Sequence, residues 1–276
     1  MRNDHPSPGD YYYGQLPREM LSLAAAVPIG QLLAVLTDGK VTSITMGELD
    51  AVLAQGNFHI ERAMAAASHS MVGMASVHLY RDRFCNGEIQ PLAYVDDVVV
   101  DPAHQGKGIA RQLMINLIRK AQEWGAVAVD LTSAPHRHAA NHLYISMGFK
   151  LLDASIMRRE PVSKLERDEI AHFAPLLGPL KEIRRDVHCV QTLVGRKMFV
   201  DHSVSHEKYL CCGGPTNAFS RFLAKLNLLA LLSGAGQINV ALVSCLNNVF
   251  APYGYQPQQT NAYRLELPVD LDSLRR

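Results

Sequence analysis

The run Val98-Val99-Val100-Asp101-Pro102-Ala103-His104-Gln105-Gly106-Lys107-Gly108-Ile109-Ala110-Arg111 decides how this chain folds. Three β-branched residues read as the end of a strand, and Pro102, with no N–H to give a ladder, stops it. Past the glycines, Ile109, Leu113, Leu117, Ile118, Ala121 and Trp124 recur with a helical period, and Gly125 closes the stripe. Strand, glycine loop and amphipathic helix therefore follow one another. Small residues let the backbone approach a ligand closely, and the first N–H groups of a helix point outward with the helix dipole behind them. Gln105–Ala110 is thus a ready cradle for a pyrophosphate. The spacing excludes a Walker A loop, and Arg111 stands where a dinucleotide fingerprint needs a third small residue. On the loop alone, a tight strand-to-helix turn with no ligand reads the same way.

Upstream, residues 1–17 carry three prolines, two glycines and Tyr11-Tyr12-Tyr13, and read as a flexible N-terminal arm. Residues 19–36 are helix-like, interrupted by Pro28 and Gly30. Thr45 and Glu48 form a capping-box signature that opens a helix running to Gln55 and stopping at Gly56. The runs 59–65 and 71–80 predict an antiparallel hairpin, and 92–100 a third strand. Downstream come a buried strand at 126–132, a short helix at 141–147 and a last strand at 149–157. An antiparallel opening followed by alternating strands and helices implies a mixed α/β sheet flanked by helices.

The chain's 276 residues allow one or two domains. With 48% apolar and 19% charged residues it can bury a core, which excludes an intrinsically disordered chain. A net charge of +1 gives no reason to expect nucleic acid or an anionic membrane as partner. Five cysteines, an odd and sparse count, suit free thiols in a reducing compartment. The polar start and the lack of a long apolar run lead to a cytoplasmic expectation. His136, His138 and His142 have suggestive spacing but no carboxylate or thiol to complete a set. The vicinal pair Cys211-Cys212 with His202 and His206 is no better. No metal is expected.

Gln105-x-x-Gly108-x-Ala110 after Asp97-Val98-Val99-Val100-Asp101-Pro102, with Tyr144 and then Gly148-Phe149 downstream, resembles the GNAT superfamily of acyl-CoA-dependent N-acyltransferases. The stretch from Leu131-Thr132-Ser133 through Arg137, Ala140-Asn141, Leu143-Tyr144 to Gly148-Phe149 is similar to one common bacterial branch of it. The resemblance covers roughly 20 to 160. It implies that acetyl-CoA is the cosubstrate, its pyrophosphate on Gln105, Gly106, Lys107, Gly108, Ile109 and Ala110. It further implies that the pantetheine arm adds to the backbone of Val98, Val99 and Val100, with Asn141 against the cofactor and Tyr144 near its sulfur. A phenol can protonate a thiolate of comparable basicity, so Tyr144 is the expected general acid. Asp96 and Asp97 are the candidate bases, commonly acting through water. Strand alternation puts them on opposite faces, leaving at most one in a cleft, and either reads equally as a solvated edge residue. His78 is a further candidate base or a core-flanking histidine. Lys107 and Arg111 could pair with the phosphates, although Arg111 also reads as a solvated helix residue.

The second half looks like a worn copy of the first. Asn141, Tyr144, Gly148, Phe149 and Arg158 recur as Asn247, Phe250, Gly254, Tyr255 and Arg264, at a constant spacing of 106. Cys211-Cys212-Gly213-Gly214-Pro215-Thr216 stands where the cradle would be, without the glutamine and with a proline that removes an N–H. Phe250 has no proton to donate. The expectation is therefore a catalytic domain at 18–160 followed by a degenerate GNAT-like α/β domain at 161–276. A non-homologous extension used for dimerisation is the other reading. The expected activity is acetyl transfer to a primary amine by direct attack in a ternary complex, in a monomer or homodimer. A non-catalytic acyl-CoA-binding sensor or scaffold is the alternative.

Overall fold

The computed structural model describes residues 10–83, 89–152, 155–159, 187–193, 195–200, 226, 230, 237–242, 256–258 and 260–275. The first strands are β1 (Tyr11–Gln15), β2 (Phe58–Ala65), β3 (Met71–Arg83) and β4 (Ile89–Val100). They form an antiparallel meander. After the glycine loop come α3 (Ile109–Glu123), β5 (Ala128–Ser133) and α4 (His138–Ser146). Earlier in the chain, α1 (Leu23–Leu36) and α2 (Met46–Leu53) join β1 to β2. The sequence expectation of a mixed α/β sheet flanked by helices is what the structure has, because β4 and β5 run parallel within an otherwise antiparallel sheet.

The sheet buries both faces. On one, α1 and α2 cover Leu16, Ile29, Leu33, Leu49, Ile60, Met74 and Val99. On the other, α3 and α4 cover Ala63, Val77, Val95, Leu113, Leu117, Ile118, Tyr144 and Phe149. Leu113, Leu117 and Ile118 are fully buried, each burial stabilising by about 1.5–3 kcal/mol. The expected cap at Thr45 is present: its hydroxyl accepts from the Glu48 N–H, and the Glu48 carboxylate accepts from the Thr45 N–H.

Three local readings differ. Residues 11–15, placed in a loose arm, are strand β1 on the edge of β2, where the β-prone tyrosines find a ladder and Tyr11 meets His104. The helix α1 continues through Pro28, sustained by the buried Ile29, Leu32 and Leu33 that follow. Gly30 there is set by close approach, since a Cβ would sit 2.9 Å from the Ser43 backbone. The single strand expected at 149–157 is two, β6 (Lys150–Leu152) and β7 (Ser155–Arg159), and they belong to different sheets.

That split carries the architecture. The first sheet has the order β1-β2-β3-β4-β5-β12-β6, so β12 (Asn261–Glu266) inserts between β5 and β6. The second sheet contains β8 (Val187–Thr192), β9 (Gly195–Val200), β10 (Gln237–Leu242) and β11 (Gln256–Pro257), in the order β11-β7-β10-β9-β8. Here β7 lies between β10 and β11. A strand from before residue 160 thus completes the second sheet, and one from after it completes the first. The expected boundary at 160 divides the sequence but not the sheets. The motif positions Asn247, Phe250, Gly254, Tyr255 and 211–216 lie outside the described residues.

Candidate functional site

The site is built on a break in β4. Met74 pairs with Val99 and Ser76 with Asp96, so Ala75 alone opposes Asp97 and Val98. This is a β-bulge, and it puts Asp97 at φ +53°, a left-handed conformation that Asp tolerates better than most residues. The bulge turns β4 away from its neighbour. Parallel pairing with β5 covers Leu92–Val95 against Ala128–Leu131 and then ends. Beyond it, Val99 and Val100 still pair with β3, while on the side toward β5 no strand among the described residues pairs with Val98–Val100.

The bulge also revises the expected geometry of the two aspartates. Ala75 and Val77 face the α3 side, so Ser76 faces the other. Asp96 is directly opposite Ser76 and shares that face. The Asp97 carboxylate accepts a 3.2 Å hydrogen bond from the same Ser76 hydroxyl. Both carboxylates therefore turn to one face, because the extra residue cancels the alternation. Asp97 is only 5% exposed, and its neighbour Asp96 is half-buried.

At the end of β4, Asp101 caps a 3-10 turn at Pro102–His104, and the Gln105 side-chain amide donates to the Val100 carbonyl at 3.0 Å. This bond fixes the loop to the strand. Gly106 and Gly108 have φ of +75° and +78°, which only glycine adopts readily. A Cβ on either would meet no atom of the described residues within 4 Å, so among these residues nothing fills the space beside them. Gly108 is the N-cap of α3, and Gln105–Gly108 are exposed. The next backbone N–H groups, of Ile109, Ala110 and Arg111, have no carbonyl one turn earlier in the helix. An acyl-CoA fits these residues on two counts: a strand edge open for an extended arm, and an exposed amide cradle at its end.

The other candidates fall as follows. Tyr144 on α4 is buried in the α3-side core with its ring edge on Phe149, on the opposite face of the sheet from Asp96 and Asp97. The Asn141 side chain donates to the Ala134 and Pro135 carbonyls, holding the β5–α4 loop. His78 is fully buried, stacked on Phe58 and tilted against Tyr94, as a core-flanking residue would be. Lys107 is exposed on the loop. Arg111, read both as a possible phosphate partner and as a solvated helix residue, donates to the Leu274 carbonyl at 2.8 Å and the Ser146 hydroxyl at 2.7 Å.

Sequence reasoning missed a polar band on the aspartate face. Tyr94 and Thr132 join hydroxyls at 2.8 Å across the mouth of the β4–β5 opening. Arg264 of β12 makes a two-bond ion pair with Asp130 of β5, both bonds 2.7 Å, and Tyr80 donates to the same carboxylate. These hydrogen bonds hold the Arg264 guanidinium above its ordinary pKa, against the lowering effect of burial. The alternating positions 76, 78 and 80 could have signalled a polar face, whereas the spacing of 106 marked Arg264 only as a copy of Arg158 and gave no sign of Asp130 as its partner.

Residues 44–149 match the family model described as the acetyltransferase (GNAT) family. This part of the chain is a GNAT acetyltransferase domain. The matched segment contains the bulge, the glycine loop and Tyr144. None of the curated proteins matches the sequence significantly. Among solved structures, one similar along most of this chain is a GCN5-related glucosamine N-acetyltransferase region of a fungal multi-domain GH3 β-N-acetylglucosaminidase. That similarity covers 94% of this chain and 38% of the fungal one, with 11% identity and a TM-score of 0.52. A Trypanosoma brucei acetyltransferase is 21% identical, covering 51% of this chain and 93% of its own, with a TM-score of 0.42. An aminoglycoside acetyltransferase from an uncultured soil metagenomic sample is 23% identical over 50% of this chain and 88% of its own, with a TM-score of 0.43. Among the described residues no helix is long and apolar enough to cross a membrane.

Proposed function

We propose that this GNAT domain transfers an acetyl group from acetyl-CoA to a primary amine by direct attack in a ternary complex. The observation that carries the reading is the coincidence, on one strand, of the bulge that opens β4 from β5 and the amide cradle at its end. In this reading the pantetheine arm bonds the backbone of Val98–Val100. The pyrophosphate lies on the amides of Gln105–Ala110, with Lys107 free to reach a phosphate.

The two faces of the sheet then have separate tasks. Asp96 and Asp97 face one side, from which a cationic amine would be attracted and, directly or through water, deprotonated. The neutral amine nitrogen attacks the thioester carbon, the new C–N bond forms, and the C–S bond breaks. Tyr144, on the other side, donates its phenolic proton to the departing thiolate and is reprotonated from water, and the second proton, shed by the nitrogen as the amide forms, goes to the other carboxylate or to water. Asn141 serves indirectly, by fixing the loop that leads into the helix of Tyr144.

We read the second half as a related copy without its own transfer site. Support comes from strand order: β9 and β10 are parallel, as β4 and β5 are, and each parallel pair continues into two antiparallel strands. A screen of amines for release of the CoA thiol tests the activity. Turnover with any amine class supports it, whereas CoA binding with no turnover across the panel leaves an acyl-CoA sensor.

A further inference from the structure

One downstream segment touches both halves of the acyl-donor site. The open edge of β5 begins where β4 leaves it, after Leu131. From there Thr132 and Ser133 are held on their other side by β12, through the pairs Ala262–Thr132 and Asn261–Ser133. The wall of the opening that faces β4 is therefore positioned by residues more than 120 positions away. Past β12, the chain runs along α3. The Leu267 N–H donates to the Val127 carbonyl, and Leu274 is buried in the α3-side core. The Leu274 carbonyl then accepts from Arg111.

Arg111 sits in the first turn of α3, three residues after the N-cap glycine of the cradle. Its second partner, Ser146, ends α4, the helix that carries Asn141 and Tyr144. One guanidinium thus ties together the cradle helix, the helix of the expected acid, and the downstream segment. A planar, permanently charged fork suits this task, since it can serve two acceptors at once in fixed geometry.

We propose that Asn261–Arg275 is a working part of the acyl-donor site, with Arg111 as a positioning residue that sets the cradle through Leu274 and Ser146. The inference rests on the acyl-CoA reading given above. It places the control of donor affinity in a segment that contributes no contact of its own to the donor.

The test compares three full-length variants, Arg111→Ala, Arg111→Lys and Leu274→Gly, with a chain ending at Leu271. CoA affinity is measured by calorimetry, and the two Michaelis constants with the amine found in the screen. Arg111→Ala and the shortened chain should each weaken CoA by about tenfold, the worth of a charge-assisted hydrogen bond. Combining them should cost no more than either alone, because both remove the same tie. Lysine should recover part of the affinity. The Michaelis constant for acetyl-CoA should rise and that for the amine should not, a split that general loosening would not produce. If the shortened chain does not fold, Leu274→Gly in the full chain, which unseats the carbonyl's anchor, should match Arg111→Ala. Wild-type affinity in both Leu274→Gly and the shortened chain, with a loss in Arg111→Ala that shrinks as salt is added, would mean that Arg111 contacts phosphate directly and would overturn the proposal. Failure of the wild-type chain to bind CoA would sink the acyl-CoA reading itself; binding that Gly108→Val abolishes but these variants leave intact would sink this inference alone.

Discussion

The two sheets of this molecule share a frame and differ in chemistry. From β4 onward the first runs β4-β5-β12-β6, and from β9 onward the second runs β9-β10-β7-β11. At matching places in the register, Arg264 lies opposite Asp130 in the first, and Arg158 opposite Asn239 in the second. The arginine recurs and the carboxylate does not. Backbone pairing alone is enough to maintain such a frame, because ladder hydrogen bonds do not depend on side-chain charge. The Arg264–Asp130 ion pair belongs to the sheet whose strands part to make an opening, and there it links β5, the strand beside that opening, to β12.

The sharpest way to break this contrast is to count sites. CoA should bind once per chain, and Gly108→Val should abolish that binding in a folded protein. A Cβ at φ +78° is strained, and its branches would fill the space before the helix amides. Calorimetry showing two equivalent sites, or an undiminished one in the variant, would make the sheets alike after all. The next effect is on turnover. Tyr144→Phe gives the first half the aromatic residue found at 250 in the second, and should slow turnover by roughly 10²-fold with CoA affinity unchanged. Turnover within twofold of wild type would reduce Tyr144 to a packing residue against Phe149.

Stability should separate the two arginines more modestly. Arg264→Ala leaves a largely buried carboxylate at Asp130 with Tyr80 as its remaining donor, and should cost about 2 kcal/mol in denaturant unfolding. Opposite Arg158 the register of β7 and β10 places an asparagine, Asn239, where Arg264 has an aspartate, so Arg158→Ala should cost less, and equal losses would contradict the asymmetry. The smallest effect gives a baseline away from both strands. Thr45→Ala should cost about 1 kcal/mol by removing the α2 cap. Hydrogen bonds from Thr45 hold the Glu48 carboxyl below its ordinary pKa. Its contribution is present above the unfolded-state pKa and lost as pH falls through the lower folded-state value, so the gap between wild type and variant should narrow in acid without closing, because the bond from the Glu48 N–H to the Thr45 hydroxyl does not titrate.

How much of this was legible depended on whether the signal was local. The strand–glycine–helix unit, the hairpin and the Thr45 cap were all readable, because period, proline and glycine act over a few residues. The facing of Asp96 and Asp97 was not. A bulge leaves no mark in a run such as Val95–Val100, since the inserted residue is identified only by its partner strand. The constant spacing of 106 brought out Arg264 as a copy of Arg158, yet gave no hint that β7 and β12 trade sheets. Both arginines sit in short strands of similar composition that would fit either place, and only the connection lengths and the rest of the fold decide. Arg111 shows the same limit: its position on the helix was readable, but its partners lie 35 and 163 residues away.

The exchange of β7 and β12 has a consequence during synthesis. A chain emerging from the ribosome will have made β1 to β5 and the whole glycine loop well before Asn261 appears. Until then the ladder groups of β5 that await β12 are unsatisfied, and β7 has no sheet to join. Such an edge invites pairing with the wrong strand, including the same strand of a neighbouring nascent chain. The two halves must therefore mature together, and the slow step is the closing of very long loops. Conditions that lengthen the interval between the halves, such as a translational pause after residue 160, should lower the yield of soluble protein without any change in the finished fold.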